Sequence, residues 1–414
     1  MNILIVNTYH YLRGGDCRHA FGLGKLLKAA GHEVHYFAMQ GPDNLPCPDA
    51  KHFVSEIDFR KTMKSGGPVA ALKVLSRTIY SKEARRKIAA LLDEVKPDIA
   101  HLHSIRHHLT KSILSELKER NIPIVWTLHD FKEICPNTSF YDGHNICEKC
   151  KGGKYTQVVW NRCKKNSLGA SLITYLEARG NSGAKYDGLI DCYISPSRFL
   201  VQKFTEHGYD PASFVHIPNF LEIDLFQSAN EYRNYLLFIG RLERGKGIET
   251  MIQGFGGADC CPPPLTLKIA GEGSLQDDLE KLVRNNNIRN IEFTGFLKEK
   301  ELDKVARKAK AVIIPSELYE NYPFSGLEAM AYGKPVIGSR IGGIPEQVDD
   351  GVTGLLFEAF NAEDLSDKIN RLNRLTPEEI RRMGAKGREK VEQINSPHQF
   401  LSKIQDLYKN LTKR

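Results

Sequence analysis

Pro315-Ser316-Glu317-Leu318-Tyr319-Glu320-Asn321-Tyr322-Pro323-Phe324-Ser325-Gly326-Leu327-Glu328-Ala329-Met330-Ala331-Tyr332-Gly333-Lys334-Pro335 follows directly on the apolar run Ala311–Ile314. The run has the length and composition of a buried strand. A loop comes next, then a short helix that opens near Ser325 and closes at Gly333, ahead of Pro335. Glu320 stands in the loop and Glu328 in the first turn of that helix, with seven residues between them. A helix start leaves backbone N–H groups without partners, and these groups seat an anion such as phosphate. Carboxylates that can hold sugar hydroxyls therefore flank an anion site, as a nucleotide-sugar pocket requires. The same residues admit a plainer meaning. Ser325-x-x-Glu328 matches a capping box, in which Glu328 serves an orphan N–H. Locally the cap is the commoner meaning, so other parts of the chain must decide.

Outward from this stretch, short apolar runs alternate with helical patterns. Strands are expected at residues 3–6, 33–38, 99–102, 123–128, 192–195 and 214–217, and again at 235–239, 265–270, 291–294, 311–314, 335–338 and 354–357. Such alternation implies parallel sheets with helices on both faces. The runs form two series, which divides the chain into an N-terminal domain at 1–220, a linker at 221–234, a second domain at 235–395 and a helical tail at 396–414. Two facing doubly wound domains bind ligands in the crevice at the carboxyl ends of their strands.

The loops after the first strand of each series carry matching chemistry. Gly14 and Gly15 stand between the first strand and first helix, where paired glycines let backbone approach a phosphate. The dinucleotide fingerprint Gly-x-Gly-x-x-Gly is absent there. The second series opens with Gly240-Arg241-Leu242-Glu243-Arg244-Gly245-Lys246-Gly247. Arg241 and Lys246 flank a glycine-bearing turn, where two fixed cations suit a diphosphate. No Asp-x-Asp occurs in the sequence. A departing diphosphate must be neutralised by a metal or by protein cations, and the sequence offers the cations, so no catalytic metal is expected.

The composition is that of an ordinary globular chain of 414 residues, 41% hydrophobic and 26% charged. No signal peptide and no membrane-length apolar run is apparent, so a cytoplasmic location is expected. The net charge of +8 is modest, but residues 60–92 hold nine basic residues against the single acid Glu83. Apolar residues interleave with them, which suits either a solvated helix face or peripheral contact with an anionic membrane. No nucleic-acid-binding module accompanies the charge. Nine cysteines, an odd count, argue against a disulfide framework. Cys135, Cys147, Cys150 and Cys163, in an insertion at 134–165, have the spacing of a structural zinc site in weakly structured sequence.

The strand-loop-helix around Glu320 and Glu328, the Arg241-Leu-x3-Lys246-Gly motif, the early Gly14-Gly15 and the closing Gly351-Val352-Thr353-Gly354-Leu355-Leu356 resemble the retaining glycosyltransferases of family 4. That resemblance implies the GT-B fold, two Rossmann-like doubly wound domains facing across a cleft, with a C-terminal helix crossing back to the first. It implies that Arg241 and Lys246 bind the donor diphosphate and that Glu328 holds the ribose. Glu320 would contact the donor sugar, with the backbone of Phe324, Ser325, Gly326 and Leu327 around sugar and phosphate. Gly15 would approach the phosphate, while Gly271 and Gly295 would lie near the nucleotide. His129, at a strand end, matches the family's histidine beside the transferred sugar. The implied reaction moves a hexose-type sugar from a nucleotide-diphosphate donor to a saccharide or lipid-linked acceptor, in envelope or exopolysaccharide synthesis. A nucleotide-sugar epimerase, or a binding protein without transferase activity, would share the two-domain plan.

Overall fold

The computed structural model describes residues 1–57, 75–181, 186, 188–229, 231–259 and 264–413. All twelve expected strands are present within a residue or two of their expected ends. They are β1 Asn2–Val6, β2 Glu33–Phe37, β3 Ile99–Leu102, β4 Ile124–Thr127, β5 Cys192–Ser195, β6 Phe214–His216, β7 Tyr235–Ile239, β8 Thr266–Ala270, β9 Ile291–Gly295, β10 Ala311–Ile314, β11 Val336–Ser339 and β12 Gly354–Phe357. Successive side chains of a strand point to opposite faces. In β1, Ile3 and Ile5 join one core cluster and Leu4 and Val6 another. In β10, Ala311 and Ile313 face one side and Val312 and Ile314 the other. Both faces of both sheets are therefore buried, which is why these strands read as unbroken apolar runs.

The strands form two six-stranded sheets, ordered β2-β1-β3-β4-β5-β6 and β12-β11-β10-β7-β8-β9. Every described pairing within them is parallel. Strand order reverses between β1 and β3 in the first sheet and between β7 and β10 in the second. Such switch points open a crevice at the strands' carboxyl ends. The loops after β1, β7 and β10, singled out above, all leave these points.

The chain crosses between the lobes twice, side by side. Leu221 donates its N–H to Asn395 O at 2.9 Å, and Asn395 Nδ2 donates to Asn219 O at 2.7 Å. The second crossing leads into helix Pro397–Thr412, whose Phe400, Ile404, Tyr408 and Leu411 form one apolar stripe. That stripe lies in the core cluster of the first sheet, with Ile3, Ile5, Ile99 and Val125. The buried Tyr408 hydroxyl meets Nδ1 of His101, on β3, at 2.5 Å.

One expectation is corrected. The helix of the opening stretch is Phe324–Ala331, its N-cap is Pro323, and no side chain caps it. With Pro323 already at the entry, Ser325 falls at the second helical position and Glu328 at the fifth, so the capping box cannot form. Of the basic run, residues 58–74 lie outside the described residues. Of its five described cations, Arg77 pairs with Glu83 at 3.0 Å, Arg85 with Glu116 at 2.5 Å and Lys87 with Glu83 at 3.8 Å, while Lys82 and Arg86 are exposed. No helix among the described residues is long and apolar enough to cross a membrane.

Because the C-terminal helix fills the first lobe's core, Phe400→Ala is expected to cost about 3 kcal/mol. Chemical denaturation followed by tryptophan fluorescence measures this, and an unchanged midpoint would contradict the docking described.

Candidate functional site

The second lobe builds half of the site where the β7 and β10 loops meet. Gly247 has φ +67, and a Cβ there would come within 1.7 Å of Pro315 O. Glycine alone lets the two loops lie this close. The contact brings Lys246 Nζ to 2.6 Å from Glu320 Oε1, while Ser316 Oγ donates to the same oxygen at 2.9 Å. Burial works against the Glu320 charge, but Lys246 and Ser316 outweigh it and hold the carboxyl below its usual range. Arg241, by contrast, keeps its side chain 73% exposed at the mouth of the cleft, paired with Glu243 at 3.0 Å. Gly271 follows β8 and donates to Gly295 O at 2.9 Å, joining the ends of β8 and β9 beside that of β7.

The other half comes from two helix starts that face each other across the cleft. A Cβ on Gly15, the first residue of helix Gly15–Ala29 and next to its N-cap Gly14, would stand 3.0 Å from the Phe324 ring. The first turn of the opposing helix holds Phe324, Ser325, Gly326 and Leu327. Between them Arg18 of the first lobe forms an ion pair with Glu328 of the second. Burial pushes the Glu328 carboxyl above its usual range, against the pull of Arg18. The two acids thus differ: Glu320 is held ionised, while Glu328 bears an electrostatic cost.

His129 sits at the end of β4, joined to Glu320 through one amide. Asn321, next to Glu320, donates from Nδ2 to the carbonyl of Leu128, next to His129, at 3.0 Å. Its Oδ1 accepts from Ser197 Oγ at 2.6 Å. Behind His129, its Nε2 lies 3.0 Å from Nδ1 of the buried His103. Asp16 bonds Ser104 at 2.7 Å and, with Asp130, opposes the lowering that burial imposes on the His129 pKa.

His19, His103 and His129 have ring nitrogens within 4.8 Å of one another, the group of potential metal ligands so gathered among the described residues. Their surroundings fit neutral imidazoles in a core. His19 packs edge-on against Phe400 and tilted against Phe220, and burial drives His19 and His103 well below the usual histidine pKa. The four cysteines of the insertion are free thiols and are not in that group. Burial, with Cys135, Cys163 and Cys147 adding to it, pushes Cys150 up to about 12. Cys260 and Cys261 lie outside the described residues.

Several site residues escaped the sequence reading. Arg18 follows Gly15 by one helical turn, and Asn321 is the direct neighbour of Glu320. Gly342 and Gly343, after β11, admit the Glu320–Asn321 backbone: a Cβ on Gly343 would stand 1.8 Å from Asn321 O. The Gly-Gly pair after a strand was the available signal.

Comparison with known proteins adds the following. Residues 13–225 match the family model described as Glycosyltransferase Family 4, and residues 222–390 match that of Glycosyl transferases group 1. An uncharacterised glycosyltransferase of Methanocaldococcus jannaschii, MJ1607, is 35% identical over 381 residues, covering 90% of this chain and 89% of that one. A second from the same organism, MJ1178, is 31% identical over 200 residues, so the chain spans about half of that relative, 54% of its length. Among solved structures, Anabaena HepE in complex with UDP and glucose superposes with a TM-score of 0.69 at 16% identity, over 99% of this chain and 100% of that one.

The raised pKa of Glu328 has a measurable consequence. A carboxyl whose folded pKa lies above its unfolded value weakens the fold at pH above that folded pKa, where it must be charged, and costs nothing once protonated. Glu328→Gln should therefore raise the thermal midpoint at pH 8 and give no gain near pH 4. A lower midpoint than wild type at pH 8 would contradict the assignment.

Proposed function

The chain belongs to the family 4 glycosyltransferases, and on that footing we propose that it is a retaining transferase moving a hexose-type sugar from a nucleoside-diphosphate donor to a saccharide or lipid-linked acceptor. The observation that carries this is the meeting of the Lys246–Glu320 and Arg18–Glu328 pairs at facing switch points, between two helix starts. An ammonium has three N–H donors. Lys246 spends one on Glu320, leaving two for phosphate oxygens, and Arg241 at the cleft mouth adds a second cation. The start of helix Phe324–Ala331 completes an anion seat. Glu328 engages Arg18 through one oxygen, which leaves the other for a ribose hydroxyl.

In the reaction, the bond from the anomeric carbon to the diphosphate oxygen breaks and the acceptor oxygen bonds to that carbon on the same face. The acceptor's proton passes to the departing phosphate. Lys246, Arg241 and the helix start stabilise the charge that develops there. Glu320, held ionised, orients Lys246 and the sugar, and His129 faces the sugar from the first lobe. Nothing in this scheme routes through a metal. A structural zinc on Cys135, Cys147, Cys150 and Cys163 remains part of the proposal, supported by their spacing in the sequence. The pathway proposed is envelope or exopolysaccharide synthesis, at the inner face of a membrane.

A panel of UDP-, GDP- and ADP-sugars assayed in EDTA tests the reading. Lys246→Ala and Glu328→Ala should each lower kcat/KM about a hundredfold, the size of a lost charged hydrogen bond, while the fold persists. Wild-type-like transfer by both variants would overturn it. Metal analysis of protein purified without chelator should find about one zinc per chain, and zinc-free folded protein would remove that part.

A further inference from the structure

Helix Leu168–Asn181, which follows the cysteine-rich insertion, is amphipathic the wrong way round. Its buried positions are Ser171, Thr174 and Glu177. Its outward positions include Leu168, 57% exposed, and Leu172, 46% exposed, one turn apart. A helix on a protein surface ordinarily buries its apolar stripe and shows its polar one. Here the inward polar residues have partners: Ser171 Oγ accepts from Lys164 N at 3.1 Å, and Glu177 accepts from Lys132 Nζ at 2.7 Å. The inversion is therefore built into the packing. Helix Gln157–Trp160 packs against it and leaves Trp160 79% exposed.

The charge around these residues is as one-sided. Residues 149–181 hold seven cations, Lys149, Lys151, Lys154, Arg162, Lys164, Lys165 and Arg179, and one acid, the buried Glu177. All of the cations except the half-buried Lys164 are exposed, with Lys151 paired to Glu206 at 3.4 Å. An exposed tryptophan and exposed leucines in a segment rich in exposed lysine and arginine match a bilayer interface, where the indole sits at headgroup level and cations meet acidic lipid.

We propose that the face formed by Trp160, Leu168, Leu172 and the cations about them docks this chain onto an anionic lipid bilayer. The surface lies on the acceptor side. Lys132, which binds Glu177, also donates its N–H to Asp130 at 2.9 Å, in the loop that carries His129. The bilayer would thus lie behind the loop that carries His129. This deepens the lipid-linked-acceptor reading and rests on it for its purpose, not for its binding. It involves residues other than the basic run at 60–92.

Vesicle sedimentation of the full chain, without donor or acceptor, provides the test. Wild type should bind phosphatidylcholine vesicles containing about 30% phosphatidylglycerol and should bind pure phosphatidylcholine at least about tenfold more weakly. Added salt should release it. Trp160→Ser/Leu168→Ser/Leu172→Ser and, separately, Lys151→Glu/Arg162→Glu/Lys165→Glu should each weaken binding about tenfold. Donor turnover on a water-soluble acceptor should not change in either variant. All six positions are exposed, and circular dichroism checks the fold. Equal binding to both vesicles, no binding, or variants that bind like wild type would overturn the proposal. So would a wild-type dimer that the apolar variant dissolves, since the face would then meet a second copy. A chain that binds vesicles yet uses only soluble acceptors would overturn the lipid-linked reading and leave the surface standing.

Discussion

The buried side chain of Asn321 is the constraint on which the site depends. It reaches Leu128 O at the end of β4 and Ser197 at the end of β5, while its own backbone lies against Gly343 after β11. One amide therefore sets Glu320, its neighbour on one lobe, relative to His129, the neighbour of Leu128 on the other. A buried amide with both ends satisfied fixes geometry because leaving either end unpaired is costly. Glu346 adds a second tie, accepting from the N–H groups of Arg198 and Phe199 at 2.8 and 2.7 Å across the same seam. The two crossings at Asn219 and Asn395 close it from behind.

Within that frame the two acids have been given different environments, and the difference divides their work. Glu320 sits between a lysine and a serine and stays ionised, as the sugar-binding role proposed for it requires. Glu328 is buried in the second turn of its helix with Arg18 as its charged partner, and burial makes its charge costly. Titratable neighbours with pKa values pushed apart by their surroundings mark functional sites. In the function proposed, the energy withheld from the free protein at Glu328 would become available when a donor's hydroxyls arrive.

The strands were legible because sheets buried on both faces demand continuous apolar runs, as in Ala311–Ile314 or Tyr235–Ile239. The loops proposed to hold the donor stood out because a phosphate seat would need glycine, cations and a helix start close together in the chain. What the sequence hid acts over distance. Arg18 meets a partner 310 residues away, and Asn321 one 193 residues away. Nothing in their own neighbourhoods announces either contact. The capping box was misread because Pro323 moves the helix entry, so a pattern with the right letters fell in the wrong register. The basic run drew attention by its count, yet Arg77, Arg85 and Lys87 are spent on ion pairs. The inverted helix Leu168–Asn181 has the mildest of sequence signals, and only burial reveals which face is which.

The central claim is that Lys246 and the facing helix starts form a diphosphate seat without a metal. Isothermal titration of UDP, GDP and ADP into the EDTA-treated chain tests it most directly. The account predicts saturable one-to-one binding of at least one of the three, lost in Lys246→Ala and unchanged by added magnesium. Binding that appears only with a divalent cation, or that survives intact in Lys246→Ala, would contradict it.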